Sequence, residues 1–167
     1  MRFFISQTSL SRNIVRNISS GVIDKMPTIG VLGVTIPGAA DCVSKINQKS
    51  RDYFFSHEHP NIILHQLNFR PTHDAQNQER WDIVENRLME SVHALTRAGA
   101  DFIIIPANTV HKVIGNLQSQ SEIPIISMLD VVADAFSASG LKKVCVLGTR
   151  WTMTDHLYLT PFEKRVF

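Results

Sequence analysis

From Pro27 onward the chain alternates short, unbroken apolar runs with longer stretches whose apolar residues recur at steps of three and four. The two patterns have different physical meanings. A short continuous apolar run suits a strand covered on both faces, whereas a three-and-four spacing lays one apolar stripe along a helix. Strands are therefore predicted at Thr28–Leu32, Asn61–Leu67, Phe102–Ile105, Ile123–Ser127 and Lys143–Leu147. Helices are predicted over Gly38–Phe55, Val110–Gln120 and Asp130–Ser139, and most plainly where Trp81, Val84, Leu88, Val92 and Leu95 share one face. Gly99 and Gly140 stand where two of these helices should stop. A last helix is predicted to start near Thr154 or Asp155.

Strands that take turns with helices argue for right-handed crossovers and a parallel sheet. The predicted fold class is α/β, with a parallel sheet of four to five strands flanked by helices. That topology gathers every strand-to-helix loop on one edge, where open α/β sheets bind their ligands. The loops are Gly33–Gly38 ("GVTIPG"), Asn68–Arg80, Pro106–Thr109 ("PANT"), Ser127–Leu129 and Gly148–Thr152. The Asn68–Arg80 connection is long for its kind, which predicts a lid or specificity loop or else an irregular surface loop.

The totals narrow the class further. A chain of 167 residues fits one domain with a sizeable core, or one domain and part of another. Residues 1–26 stand apart: they carry Arg2, Arg12 and Arg16, are rich in serine, and hold no acid before Asp24. They are expected to be a disordered or targeting extension. The expected location is cytoplasmic, or mitochondrial or plastid if residues 1–25 act as a transit peptide. The formal charge of +2 is interspersed, without a basic run, so no nucleic-acid partner is expected. No apolar run reaches bilayer length, so no membrane span is expected either. Cys42 and Cys145 make neither a disulfide framework nor a cysteine-pair metal site, and Cys145, inside a predicted strand, is expected to pack in the core.

The familiar nucleotide and serine-hydrolase motifs are absent. "HEH" (His57–His59) places its histidines too close in sequence to share a helix face, which predicts solvated side chains rather than metal ligands. The constellation that remains is "PANTVH" (Pro106–His111). Asn108 and Thr109 follow a buried strand and precede a helix, whose first N–H groups favour anions. Both side chains add donors suited to a carboxylate or phosphate. Both are also good helix caps, and the two roles are compatible.

"GADFIIIPANTVHKV" (Gly99–Val113) resembles the strand and first catalytic loop of the aspartate/glutamate racemase family, where Gly-Ala-Asp-Phe-Ile leads to Cys-Asn-Thr and a His. "IGVLGVTIPG" (Ile29–Gly38) resembles that family's opening strand and Gly-Gly-Met-x-Pro loop. "EIPIISMLD" (Glu122–Asp130) and "GLKKVCVLGTRWTM" (Gly140–Met153) resemble its next two strands. The resemblance implies a first α/β domain over residues 27–140 and the start of a second, truncated one over residues 141–167.

It also implies a chemistry. Inverting a Cα centre needs two opposed acid/base groups within reach of Cα, which the family supplies as cysteines, and donors that hold the carboxylate as it takes up charge. Asn108 and Thr109 fall on the family's carboxylate-holding positions, and Val34 and Thr35 fall in the opening loop where it carries Gly-Met. Arg70 and His73 are the nearest candidates for an arginine that grips the side-chain carboxylate. The first cysteine position is occupied by Ala107, and these residues contain no Gly-Cys-Thr motif for the second. The resemblance thus implies an amino-acid racemase family protein with impaired or absent turnover, no cofactor and no metal. Its expected partners are a small dicarboxylate amino acid and a second copy of itself in a homodimer. The alternatives are a carboxylate-binding or subunit-pairing module, and a related decarboxylase or dicarboxylate isomerase.

Overall fold

The computed structural model describes residues 26–166. The extension expected over residues 1–26 thus lies, apart from Met26, outside the described residues. The chain divides into two compact units, Met26–Ile126 and, beyond it, Ser127–Phe167.

The first unit is built on four parallel strands: β1 (Thr28–Gly33), β2 (Asn61–Gln66), β3 (Phe102–Ile104) and β4 (Ile125–Ile126). Their spatial order is β2-β1-β3-β4. The register sets Gly33 opposite Gln66 and Val31 opposite Ile104, so β1, β2 and β3 end at the same edge. The α/β class and the parallel sheet expected from the alternation are what the chain forms.

The connections are helical: α1 (Ile36–Ser50), α2 (Phe69–Asn77), α3 (Trp81–Arg97), and a 3₁₀ turn (Thr109–Val113) that runs into α4 (Ile114–Gln120). The stripe read from the sequence of α3 is its buried face: Val84, Leu88, Val92 and Leu95 are fully shielded. They pack with Leu32, Ile103, Val110 and Leu117 in one core. Burying a side chain of this size contributes roughly 1.5–3 kcal/mol, so this layer is what holds the helices on the sheet. Gly99 ends α3 at φ +92, a conformation that side chains with a Cβ resist. Polar clamps sit outside the core: Glu85 of α3 accepts from Asn116 at 2.7 Å and from Gln120 at 3.0 Å, tying α3 to α4.

The second unit contains α5 (Met128–Ser139), α6 (Arg150–Thr154) and α7 (Leu159–Val166). The Ser127 hydroxyl caps α5 by accepting from the Asp130 N–H, and Gly140 closes it at φ +71. Helices α5 and α7 pack through Phe136 and Phe162, whose ring centres are 5.2 Å apart. Arg165 of α7 bonds Asp134 of α5, and it reaches Asp130 at 2.9 Å.

Four expectations are corrected. Lys143–Leu147 is not a strand: it has no ladder partner, and Val144, Leu147 and Cys145 are exposed, so Cys145 is not in a core. A β-prone run becomes a strand only when a neighbour takes its backbone hydrogen bonds. The long Asn68–Arg80 connection is mostly helix α2, started by Asn68, whose side chain accepts from the Arg70 N–H at 3.2 Å. The first helix ends at Ser50 rather than Phe55. Thr154 ends a short helix instead of beginning a long one, and the last helix starts at Leu159.

Candidate functional site

The carboxyl ends of β1, β2 and β3 carry the loops of interest. The Leu67 N–H donates to the Gly33 carbonyl at 2.8 Å, extending the β1–β2 pairing by one more residue. Thr35 then starts α1 from an extended backbone at φ −116 and ψ 142. Its side chain makes no capping bond, and its hydroxyl makes no hydrogen bond among the described residues. Pro37 in the first turn has no N–H to donate, so the helix start loses nothing by its presence.

The first turn of α1 touches the β3 loop directly. A Cβ added at Gly38 would lie 2.9 Å from the Pro106 carbonyl oxygen and 3.0 Å from the Thr35 hydroxyl oxygen. The absent side chain lets the two loops meet. Thr35 and the Pro106–Thr109 loop are thereby held at one place on the edge.

Within "PANT" the backbone is closed on itself. The Ala107 N–H donates to the Ile105 carbonyl at 2.9 Å, and the His111 N–H to the Asn108 carbonyl at 2.9 Å. The Ala107 carbonyl accepts from His111 Nδ1 at 2.7 Å. A carbonyl can only accept, so this contact fixes the hydrogen on Nδ1. His111 is 2% exposed, and the Ala107 methyl is half-buried against the core. Asn108 is exposed at the start of the 3₁₀ turn, and its side chain makes no capping bond. Thr109 follows, half-buried. The helix expected from Val110 thus opens as a tight turn.

Arg70 and His73 lie on α2, the helix after β2. The Arg70 side chain is 81% exposed, and its Nε donates to Asp74 at 2.7 Å. The hydrogen bond to Asp74, and then its charge, hold the Arg70 pKa above the ordinary guanidinium value. His73 is tilted against Phe69, with ring centres 5.4 Å apart, and contacts the Asn77 amide. No hydrogen bond or ion pair among the described residues joins either one to the "PANT" loop.

Three contributors escaped the sequence reading. His111, a residue of the motif, is the pin under Ala107. Arg87 of α3 donates to the Thr72 hydroxyl and to the Asn68 carbonyl, both at 3.1 Å, which fastens the start of α2. Gln66 ends β2 beside Gly33. Only the folded geometry reveals the last two, because their partners are remote in sequence or lie on a neighbouring strand.

Cys42 sits half-buried on α1, where burial, aided by Asp41, pushes its thiol pKa up. Among the described residues no trio of His, Cys, Asp and Glu is arranged to hold a metal ion. His57, at φ 69, and His59 are exposed and line a surface groove with Arg51, Phe54 and Phe55. That groove follows the carboxyl end of α1, not its first turn. No helix among the described residues is long and apolar enough to cross a membrane.

An open parallel α/β sheet with this loop at its carboxyl edge defines a class, and comparison makes the class specific. The model of the Asp/Glu/Hydantoin racemase family matches residues 29–167, and the chain belongs to that family. Its fold is similar to an aspartate racemase homologue from Pyrococcus horikoshii OT3, at 34% identity and a TM-score of 0.74 over 84% of this chain and 62% of that one. A candidate Asp/Glu racemase from Yersinia pestis gives 26% identity and a TM-score of 0.74, over 80% of this chain and 58% of the other. The Picrophilus torridus aspartate racemase shares the fold at 19% identity and a TM-score of 0.72, over 83% and 59%. This chain therefore spans about three fifths of the length of each of these proteins.

Proposed function

We propose that this chain is an aspartate/glutamate-type member of its family that binds a small dicarboxylate amino acid at the "PANT" edge and is impaired or inactive in proton transfer at Cα. The observation that carries the proposal is the close approach of Gly38 to Pro106, which holds Thr35 beside the loop of Ala107, Asn108 and Thr109. Two hydroxyls and an amide are donors suited to a carboxylate. Arg70 would take a second carboxylate by giving up Asp74, with His73 one turn further along α2. Ala107 stands at the position where the family's cysteine would take the proton, and a methyl group cannot. Losing a positioned base forfeits about 10²- to 10⁴-fold in rate. No cofactor enters this scheme, because racemisation by two acid/base groups needs none.

We also propose that residues 27–140 form a first domain and residues 141–167 part of a second, and that the chain works as a homodimer in the cytoplasm.

Two measurements test the proposal together. The purified chain, incubated with L-aspartate or L-glutamate in D₂O, should leave the α-proton unexchanged over many hours. Rapid exchange would show an acid/base group at work and sink the inactive reading. Aspartate should raise the melting temperature by several degrees, since ligand at a hundred times Kd adds about 2.7 kcal/mol. The shift should vanish in Asn108→Ala. An unchanged melting temperature with every dicarboxylate tried would end the binding reading.

A further inference from the structure

The side chains assigned to the ligand's carboxylates, Thr35, Asn108, Thr109 and Arg70, all serve there as donors. An amino acid also brings an ammonium group, which donates and needs an acceptor. The carboxylate beside Arg70, Asp74, is already bonded to it.

We propose that the side-chain oxygen of Gln66 accepts from the ligand's α-ammonium group and so sets the preference for an amino diacid over a plain dicarboxylic acid. This rests on the carboxylate-binding reading above and adds the residue that reads the amine. Gln66 is the last residue of β2 and pairs in register with Gly33, the last of β1. Its Nε2 donates to the Leu67 carbonyl at 3.0 Å, which settles which end of the amide is oxygen. That oxygen is turned onto Gly33: a Cβ there would fall 2.4 Å from it. It accepts no hydrogen bond among the described residues, and the side chain is half-buried rather than sealed. Gly33 precedes Thr35 by two residues, through which the chain bends, a span of at most roughly 7 Å. An aspartate with a hydrogen bond at each end bridges such a span. A neutral amide oxygen in partial burial is a good partner for an ammonium, because charge-assisted hydrogen bonds are shorter and stronger than neutral ones.

Gly33 takes on a role in the same arrangement. Any side chain at this position would collide with the amide oxygen and also approach the Ala39 Cβ, at 3.1 Å. The bare position is what lets Gln66 lie across the end of β1.

Calorimetric titration of the full chain with L-aspartate and with succinate, which is the same skeleton without the amine, tests the proposal. The native chain should bind aspartate more tightly. Gln66→Leu should weaken aspartate about tenfold and leave succinate within about twofold, the loss expected for one hydrogen bond to a charged group. Gly33→Ala should shift the preference the same way by displacing the amide, and Gln66→Glu should favour aspartate further while weakening succinate. Thermal melts confirm that each variant is folded; if Gln66→Leu does not fold, the other two decide. Equal affinity of the native chain for the two ligands, or equal weakening of both by Gln66→Leu, overturns this proposal and leaves the carboxylate site standing. Binding of neither ligand overturns both.

Discussion

His111 Nδ1 donates to the carbonyl oxygen of Ala107 at 2.7 Å, from an imidazole that is 2% exposed. The bond closes the turn that presents Ala107, Asn108 and Thr109. Replacing His111 with Leu keeps bulk but strips the donor from a carbonyl in a part-buried contact. Leaving such a group without its partner costs about 1–3 kcal/mol. Urea unfolding of His111→Leu should show a midpoint lowered to match, and the stabilisation by aspartate should shrink with it. A native-like midpoint would mean that the turn stands without its pin.

Gly38 and Gly115 form a matched pair of tests. At Gly38 a methyl group would meet the Pro106 carbonyl at 2.9 Å, and backbone does not yield cheaply. Overpacking of this kind costs about 1–3 kcal/mol, so Gly38→Ala should unfold earlier and bind aspartate less well. At Gly115, inside α4, a methyl group meets nothing within 4 Å. Alanine is the better helix former by about 1 kcal/mol, so Gly115→Ala should be neutral or slightly stabilising in the same melt.

Ala107→Cys should fold as the native chain does, because the backbone hydrogen bonds of residue 107 do not involve its side chain. A thiol there restores one acid/base group. The variant should exchange the α-proton of L-aspartate with D₂O, followed by NMR, where the native chain does not. Absence of exchange in a folded, aspartate-binding variant would show that one thiol at this position is not enough.

The parts of the fold legible in the sequence were those fixed by local pattern. Helix α3 was read from its first residue because its apolar spacing is long and regular, and Gly99 and Gly140 marked helix ends because only left-handed backbone continues there. Helix α2 was missed: Phe69–Asn77 has Pro71 in its first turn and few apolar residues, and its signal was the Asn68 cap. Val144 and Leu147 misled in the other direction, since strand propensity says nothing about whether a partner strand is present. At the candidate site, topology placed Thr35 and "PANT" on the same edge. The link through Gly38, the pin at His111 and the amide of Gln66 depend on register and rotamer, which no local pattern encodes.

Cys42 and Cys145 should report their surroundings by alkylation. Cys145 is exposed, whereas burial of Cys42 raises its thiol above the ordinary value of 9.0. The thiolate is the reactive form, so iodoacetamide near pH 8 should label Cys145 first, as mass spectrometry would show. The raised value also sets a sign. The folded chain holds the Cys42 proton more tightly than the unfolded one, so this contribution to stability is complete below the unfolded pKa and fades as pH climbs through the folded one. The native chain should therefore lose more stability than Cys42→Ala above about pH 9. Faster labelling of Cys42 would contradict its burial.

The self-contained turn at Ala107 separates reagent from frame. Because both peptide groups of that residue are satisfied from within the loop, selection can exchange the group displayed there without disturbing the architecture that displays it. A binder and an enzyme can then share one scaffold, and part of the passage between them runs through the choice of one half-buried side chain.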